Sequence, residues 1–405
     1  MLQKIIHRFL LSRHFWRYAT FDEVAQLYTA RLLRMTASAS LALFSAVYLY
    51  KNGYSLVFIA GFYVIYFFVK SLLPFGLAHY IARFGPKHGM LVSNILNIPA
   101  LLIFSMVPEY GLVALVLFSV FNAISLVMYN ISHNVDFSKV KNTNNAGKEI
   151  SIMSAMDKIA AGISPLVGGL VAWLVSPEAT LWFAAALFLG AALPLFRTAE
   201  PVRLNQKISY VGFPWKVMLP SILARSAAGA DAYLTGVVWM LFLTVTVFSQ
   251  SGDAVYAQLG GLASLTLVIG FIVLRLYGKL IDKRKGGELL RAMTIGNTFV
   301  HFMRPFASTV PMVVLINIAN EAMTSGHVMA FTRGMYDNAD RSGHRIAYLM
   351  LSESAVNFGA SLMSAVFLVI FLILPTVPAF NAVFIVGGLG ALFIMSARFP
   401  LYRKK

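Results

Sequence analysis

The 405-residue chain contains no cysteine. Disulfide bonds, thiolate catalysis and cysteine metal sites are therefore excluded, and the redox state of the compartment cannot be read from the sequence.

Charged residues are also scarce, at 12% against 59% hydrophobic residues. A soluble domain carries about a quarter charged residues, so this chain has too few to cover a surface that faces water. Lipid is the predicted solvent for most of it.

Acidic residues are fewer than basic ones: the chain has 16 Asp and Glu against 33 Lys and Arg, which gives a formal net charge of +17. A basic excess can indicate nucleic-acid binding, but the basic residues here fall between apolar runs, as membrane topology predicts. The sequence lacks metalloprotease, phosphate-loop and dinucleotide-binding motifs. We therefore expect no enzymatic activity, no cofactor, no metal centre and no nucleic-acid partner.

Long apolar runs are plentiful. They are continuous rather than alternating, which favours membrane-spanning helices over a β-barrel. The predicted fold is an all-α integral membrane protein with twelve spans in two similar six-helix bundles. The spans are predicted at residues 28–50, 55–82, 88–107, 110–133, 150–176, 179–196, 217–249, 254–281, 289–307, 310–333, 345–374 and 379–398.

Basic residues set the predicted orientation, because Lys and Arg favour the cytoplasmic side of a membrane. With both termini in the cytoplasm of an inner-membrane protein, only Lys51 and Arg304 remain among the outer loops. The predicted segments are a cytoplasmic amphipathic segment at 1–27, bundles at 28–196 and 217–398, a cytoplasmic linker at 197–216 and a basic tail at 399–405. For the segment at 1–27, a frayed basic tail is an equal alternative.

A weak internal repeat supports the two halves. The matched residues lie 196 to 199 positions apart, and a common offset at separated places is harder to obtain by chance than any single similarity. The pairs are Gly53 with Gly252, Gly147 with Gly343, and Asp157 with Glu353.

With these halves the chain resembles the major facilitator superfamily. That family carries a Gly-x-x-x-Asp-Arg/Lys motif between spans two and three, often echoed between spans eight and nine. The echo is present as Gly278, Asp282 and Lys283, whereas Ala78 and Ala82 replace Gly and Asp in the first copy. The resemblance implies two bundles that alternate between inward-open and outward-open states. A basic turn that ends a helix is the structural alternative.

The fifth span contains a second motif, which resembles the Gly-Pro-x-x-Gly-Gly signature of the family's drug:proton antiporters. Ser164 stands where the first glycine would be, and Pro165, Gly168 and Gly169 match. Small residues also allow ordinary close helix packing. The motif therefore favours export only slightly.

Ionisable groups inside the spans are the candidate site, because a charge at bilayer depth is costly and is usually kept for a function. Glu321 lies near the middle of the tenth span and shares a helix face with Asn317 and Thr324. Asp231 in the seventh span is the second candidate for proton binding. A protonated or hydrogen-bonded structural acid is the alternative for Glu321.

The fourth span carries a matching polar face, formed by Asn122, Ser125, Tyr129 and His133. In the family, spans one, four, seven and ten line the central cavity. The resemblance therefore implies that this face and the Glu321 face lie opposite each other. Without the family they are two polar helix faces.

Four further charges are candidate gate residues: Lys70, Asp157, Arg275 and Glu353. The family places span two beside span eleven and span five beside span eight. The resemblance therefore implies the pairs Lys70–Glu353 and Arg275–Asp157, which would break when the halves move apart. Because a buried ion pair adds little net stability, a switching role suits such pairs. Four separate snorkelling or solvated side chains are the alternative.

The function that these patterns favour is secondary transport of a small, partly apolar solute, coupled to protons and working by alternating access. Sodium coupling stays open. The expected partners are the solute, the coupling ion and the lipid bilayer, and we expect a monomer. A lipid or lysolipid flippase of the same fold is the first alternative. A non-transporting membrane sensor or scaffold is the second, although no soluble domain for it is visible.

Overall fold

The computed structural model describes residues 21–42, 45–141, 145–174, 177–197, 199–250 and 254–402. Throughout these residues the regular secondary structure is helical, with no β-strand. Most of the predicted amphipathic segment at 1–27 lies outside the described residues, as do Gly252 of the internal repeat and the last three basic residues of the tail.

Each of the twelve predicted spans coincides with one or two helices, so the predicted fold class is confirmed. A π-helical turn, Leu234–Val238, joins α8 to α9, and short 3-10 turns follow α7, α11 and α14. In chain order the helices are α1 Phe21–Ala42, α2 Ser45–Lys51, α3 Leu56–Phe84, α4 Pro86–Ser105, α5 Val107–Val140, α6 Ala146–Leu174, α7 Pro177–Ala192, α8 Trp215–Tyr233, α9 Trp239–Val245, α10 Ala254–Asp282, α11 Gly286–Met303, α12 Val310–Arg341, α13 Arg345–Ile373 and α14 Thr376–Ala391.

Two helices continue well past their predicted ends. Helix α5 ends at Val140 rather than at residue 133, and α12 ends at Arg341 rather than at residue 333. The added turns are polar but packed: Asp136 is fully buried, and the hydroxyl of Tyr336 donates to Asn134 Oδ1 at 2.8 Å. Hydropathy falls at such residues, whereas the helix continues because they pack against a neighbour.

By length and composition, six of the described helical segments qualify as membrane spans. Helices α11 and α12 are long enough to cross a membrane but are not apolar enough to be among these six. Both carry buried polar side chains, including Asn297, His301 and His327. Their lower hydropathy therefore reflects polar groups that face the protein interior.

The chain divides into two compact units. The first unit contains the described parts of Met1–Leu41, Leu72–Phe213 and Tyr336–Glu353. The second contains those of Ala42–Ser71, Pro214–Met335 and Ser354–Lys405. The predicted domain limits follow chain order instead and stay a prediction.

In the first unit the linker packs against the start of α4. The carboxylate of Glu200 accepts hydrogen bonds from the backbone amide of Lys87 at 3.1 Å and from the amide and ring Nδ1 of His88 at 3.3 and 2.8 Å. Lys87 Nζ donates to the carbonyl of Ala199 at 2.7 Å. A carboxylate at this position satisfies free amides and complements the helix dipole. The turn needs Gly85, whose φ is 95°.

In the second unit α8 and α13 cross at backbone contact. A Cβ on Gly229 would overlap the carbonyl oxygen of Val356, and a Cβ on Gly359 would overlap that of Ser226. Small residues allow this approach between membrane helices. The crossing holds α8, which carries Asp231, against α13.

Candidate functional site

Asp231 lies at the centre of a buried polar group in the second unit. Its Oδ1 accepts a hydrogen bond from Asn297 Nδ2 at 2.7 Å and lies 2.6 Å from His301 Nε2. His327 Nε2 is 3.5 Å from the other oxygen, Oδ2. All four side chains are at most 3% exposed. We call Asp231, Asn297, His301 and His327 the aspartate cluster.

Helix α11 supplies the cluster because one of its faces is polar. One side of the helix carries this face, because Asn297, Thr298 and His301 lie three, four and seven residues after Thr294. All are buried. Thr298 Oγ1 donates to the carbonyl of Gly388 at 3.1 Å, which fixes this face against α14. The periodicity can be read from the sequence, but α11 is the ninth predicted span, and the family resemblance implies a cavity lined by spans one, four, seven and ten.

Thr324 and Asn317, two predicted cavity residues on α12, make contacts in the same unit. Thr324 Oγ1 donates to Asn297 Oδ1 at 3.3 Å, which links α12 to the aspartate cluster. Asn317 Oδ1 accepts from Trp239 Nε1 at 2.9 Å. Glu321 is partly exposed and accepts a hydrogen bond from Ser325 at 2.6 Å. Its predicted role in proton binding stays a prediction.

Arg304, which the charge pattern placed in an outer loop, has a fully buried side chain. Its guanidinium donates to Asn320 Oδ1 at 2.8 Å, to Thr235 Oγ1 at 3.2 Å and to the carbonyl of Leu234 at 3.3 Å. It also lies 5.0 Å from the centre of the Trp239 ring, in cation–π geometry. The π-helical turn lies shortly after Asp231 in the chain, and its residues Leu234 and Thr235 provide acceptors for the buried guanidinium of Arg304. Such turns occur frequently at functional sites.

The first unit contains a second buried polar group, around Arg34 of α1. The guanidinium donates to Ser93 Oγ at 3.1 Å, to Asn94 Oδ1 and to Ser125 Oγ at 3.3 Å. It lies 4.0 Å above the ring of Tyr129. All of these partners are neutral, and no described carboxylate forms an ion pair with Arg34.

Three of the four residues predicted on the fourth span lie on this face. Ser125, Tyr129 and His133 are buried, whereas Asn122 is partly exposed. The rings of Tyr129 and His133 stack at 5.6 Å. The sequence reasoning missed Arg34, although two arginines three residues apart inside a span were a usable signal.

Asp157 forms an ion pair with Arg31, a residue that the sequence analysis did not pair with it. Its two oxygens bind Arg31 Nε at 2.6 Å and Nη2 at 2.8 Å, and this bidentate geometry is a strong one for a carboxylate. The predicted partner, Arg275, is an exposed residue of the second unit. Arg31 lies in the same unit as Asp157, and the predicted pairing of Asp157 with Arg275 stays a prediction.

The other predicted gate residues are buried. Glu353 Oε1 accepts a hydrogen bond from Asn130 at 3.0 Å. Lys70 lies near the rings of Tyr66 and Phe67, at 5.5 and 5.4 Å. The proposed pair Lys70–Glu353 stays a prediction.

The two motif regions have ordinary local structures. Gly278 and Asp282 lie in the last turns of α10, and Lys283 follows as an exposed residue. In the fifth-span motif the Ser164 hydroxyl donates to the carbonyl of Thr36. Pro165, Gly168 and Gly169 lie in α6, but beyond their backbone they are outside the described part of the chain.

The aspartate cluster has the chemistry of a proton site. A carboxylate and an imidazole at hydrogen-bond distance can share a proton, and His changes charge near neutral pH. Ionisable groups buried in membrane helices frequently form proton relays. No group of three or more His, Asp or Glu among the described residues is arranged to hold a metal ion.

The sequence matches the family model of the Major Facilitator Superfamily over residues 27–360. Among solved structures the chain is similar to a bacterial homologue of the iron transporter ferroportin in its outward-facing state, with 17% identity and a TM-score of 0.68 over 93% of this chain and 98% of that chain. It is also similar to the human organic anion transporter MFSD10 (12% identity, TM-score 0.62, 94% and 99% of the chains). A third similar structure is a variant of the E. coli fucose:proton symporter FucP (13% identity, TM-score 0.66, 92% and 97%). No curated protein matches the sequence.

Proposed function

The chain belongs to the major facilitator superfamily, and from this premise we propose that it is a proton-coupled secondary transporter of a small, partly apolar solute. It lies in the cytoplasmic membrane with both termini in the cytoplasm, and it works by alternating access. The fifth-span motif favours export over import. Members of the family are multi-pass membrane transporters rather than enzymes.

The observation that carries the proposal is the aspartate cluster. Asp231 is 3% exposed and His301 is fully buried, and their polar atoms lie 2.6 Å apart. A buried carboxylate is costly unless it is neutralised or hydrogen-bonded. A conformational change that separates Asp231 from His301 alters how firmly the site holds a proton. Proton binding then shifts the balance between the two conformations, which is the requirement for coupling.

One similar structure supports this choice by its function. FucP is a fucose:proton symporter, so the same fold is compatible with proton coupling. MFSD10 transports organic anions, which adds a solute class to test. Neither identity, at 13% and 12%, transfers a solute to this chain.

The test uses purified protein in liposomes that contain a trapped pH-sensitive dye. Sugars, organic anions and lipophilic cations are added in turn under an imposed pH gradient. A transported solute is expected to move protons with it, and Asp231→Asn is expected to abolish this proton movement. Exchange of labelled for unlabelled solute at equal pH is expected to persist in Asp231→Asn, because exchange needs solute binding but no net proton transfer.

Glu288→Gln is the matched control, since Glu288 is an exposed residue of the same unit and the change also removes one carboxylate. The control is expected to keep wild-type coupling. Wild-type proton movement in Asp231→Asn would contradict the proposal.

A further inference from the structure

The first unit contains a basic pocket outside the candidate site. It has a volume of about 350 Å³, within the usual range for small-molecule sites. The linker contributes Pro201 to Arg203 and Gln206 to Ser209, and α5 contributes Lys139 near its end. The turn before α13 and the first residues of that helix contribute Gly343 to Ala347. Among the described residues, no Asp or Glu lines the pocket. We call it the linker pocket.

The positive charge of the linker pocket is largely uncompensated. Lys139, Arg203 and Lys207 make no ion pair and no side-chain hydrogen bond within the described part of the chain. The fourth cation, Arg345, binds Asp340 at 2.5 Å and donates to Ser138 Oγ at 2.8 Å. Cations gathered around a cavity create a positive potential that attracts an anion.

The backbone of the linker pocket also favours an anion. The first turn of α13 lines it through Arg345, Ile346 and Ala347. The first amides of a helix have no acceptor within the helix, and the helix dipole adds positive charge there. Phosphate groups bind at such helix starts when basic side chains lie beside them.

Apolar residues of the same linker indicate where the anion comes from. Val211 is 86% exposed, Leu204 is 42% exposed and Tyr210 is 40% exposed. Exposed aliphatic and aromatic side chains beside Lys and Arg are typical of segments that lie in the bilayer interface. There the apolar groups enter the acyl boundary, and the cations contact lipid headgroups.

We propose that the linker pocket binds the phosphodiester headgroup of an anionic phospholipid. Lys139, Arg203 and Lys207 hold the phosphate, the amides at the start of α13 complete its contacts, and Val211 and its exposed neighbours lie among the acyl chains. The bound lipid joins the linker to the end of α5 and the start of α13. The site is separate from the aspartate cluster and independent of the transported solute.

The test is thermal unfolding of the full-length protein in neutral detergent, with dioleoylphosphatidylglycerol, dioleoylphosphatidylcholine or inorganic phosphate added. Phosphatidylglycerol is expected to raise the Tm of the wild type far more than phosphatidylcholine does. In Lys139→Gln/Arg203→Gln/Lys207→Gln the concentration needed for this effect is expected to rise by about fivefold for each cation removed.

The control is Lys279→Gln/Arg284→Gln/Lys285→Gln, which removes three exposed cations from the second unit and is expected to respond like the wild type. An equal response of both triple variants would overturn the pocket assignment. Stabilisation by inorganic phosphate as strong as that by phosphatidylglycerol would overturn the lipid assignment. Val211→Ser adds an independent arm, because it is expected to weaken the response to lipid.

Discussion

At the scale of single residues, the hydrogen bond between His301 and Asp231 is the contact with the clearest consequence. His301→Leu removes a partner from a buried carboxylate, and we expect the free energy of unfolding to fall by about 1.5–3 kcal/mol. His301→Gln keeps an N–H donor but cannot titrate. It is expected to recover most of the stability while pH-driven transport stays lost. Thermal unfolding and the liposome assay measure the two effects separately.

His79→Gln is the control for these two variants, because His79 is exposed and its ring contacts, among the described residues, the carbonyl of Phe75 alone. It is expected to leave both measurements unchanged. If His301→Gln transported with wild-type pH dependence, His301 would be a structural partner of Asp231 rather than part of a proton site.

The sequence was a partial guide to these residues. Asp231 could be predicted because a lone carboxylate in an apolar span is costly and is usually kept for a function. His301 could not be assigned to it, since their pairing depends on which faces of α8 and α11 meet, and this is set by tertiary packing. Asp157 shows the same limit. Its ion pair with Arg31 depends on how α1 packs against α6, which the sequence does not give.

At the scale of helices, the crossing of α8 and α13 depends on glycine. Gly359→Ala places a methyl group against the carbonyl oxygen of Ser226, and the backbone cannot give way as a flexible side chain could. We expect a loss of about 1–3 kcal/mol in the free energy of unfolding. Thermal unfolding in detergent measures it.

Gly390→Ala provides the comparison, because a Cβ there meets nothing within 4 Å. Alanine is the better helix former, by about 1 kcal/mol at most, so this variant is expected to be as stable as the wild type or slightly more stable. Equal stability of the two variants would mean that α8 and α13 do not pack at backbone distance.

The start of α4 offers a second test at this scale. Glu200→Ala leaves the amides of Lys87 and His88 without their carboxylate, and we expect the free energy of unfolding to fall by about 1 kcal/mol. Glu109→Ala is the control, since Glu109 is an exposed acid in the first turn of α5. A thermal shift of the same size in both variants would show that Glu200 has no special role there.

Helix positions were more predictable than helix ends. Apolar runs located helices at all twelve predicted positions, because lipid requires a continuous helical backbone. The ends of α5 and α12 were missed because their last turns are polar. Asp136 and Asn338, for example, are fully buried, and local hydropathy cannot distinguish a polar residue that packs against a neighbour from one in a loop.

At the scale of the whole molecule, the even number of spans and the direction of insertion are open to one measurement. The chain has no cysteine, so a single introduced thiol is the only one that a maleimide can label. Asn52 and Lys285 are exposed and lie in the turns after α2 and α10. The positive-inside rule places Asn52 outside and Lys285 in the cytoplasm.

A membrane-impermeant maleimide is therefore expected to label Asn52→Cys in intact cells and Lys285→Cys only after permeabilisation, with the unsubstituted protein as the blank. The two positions are separated by seven predicted crossings, an odd number that requires opposite sides. Exchanged labelling would reverse the proposed orientation and place the linker pocket on the outer leaflet. Labelling of both positions from the same side would show that one helix between them does not cross, and the two halves could not then each contain six spans.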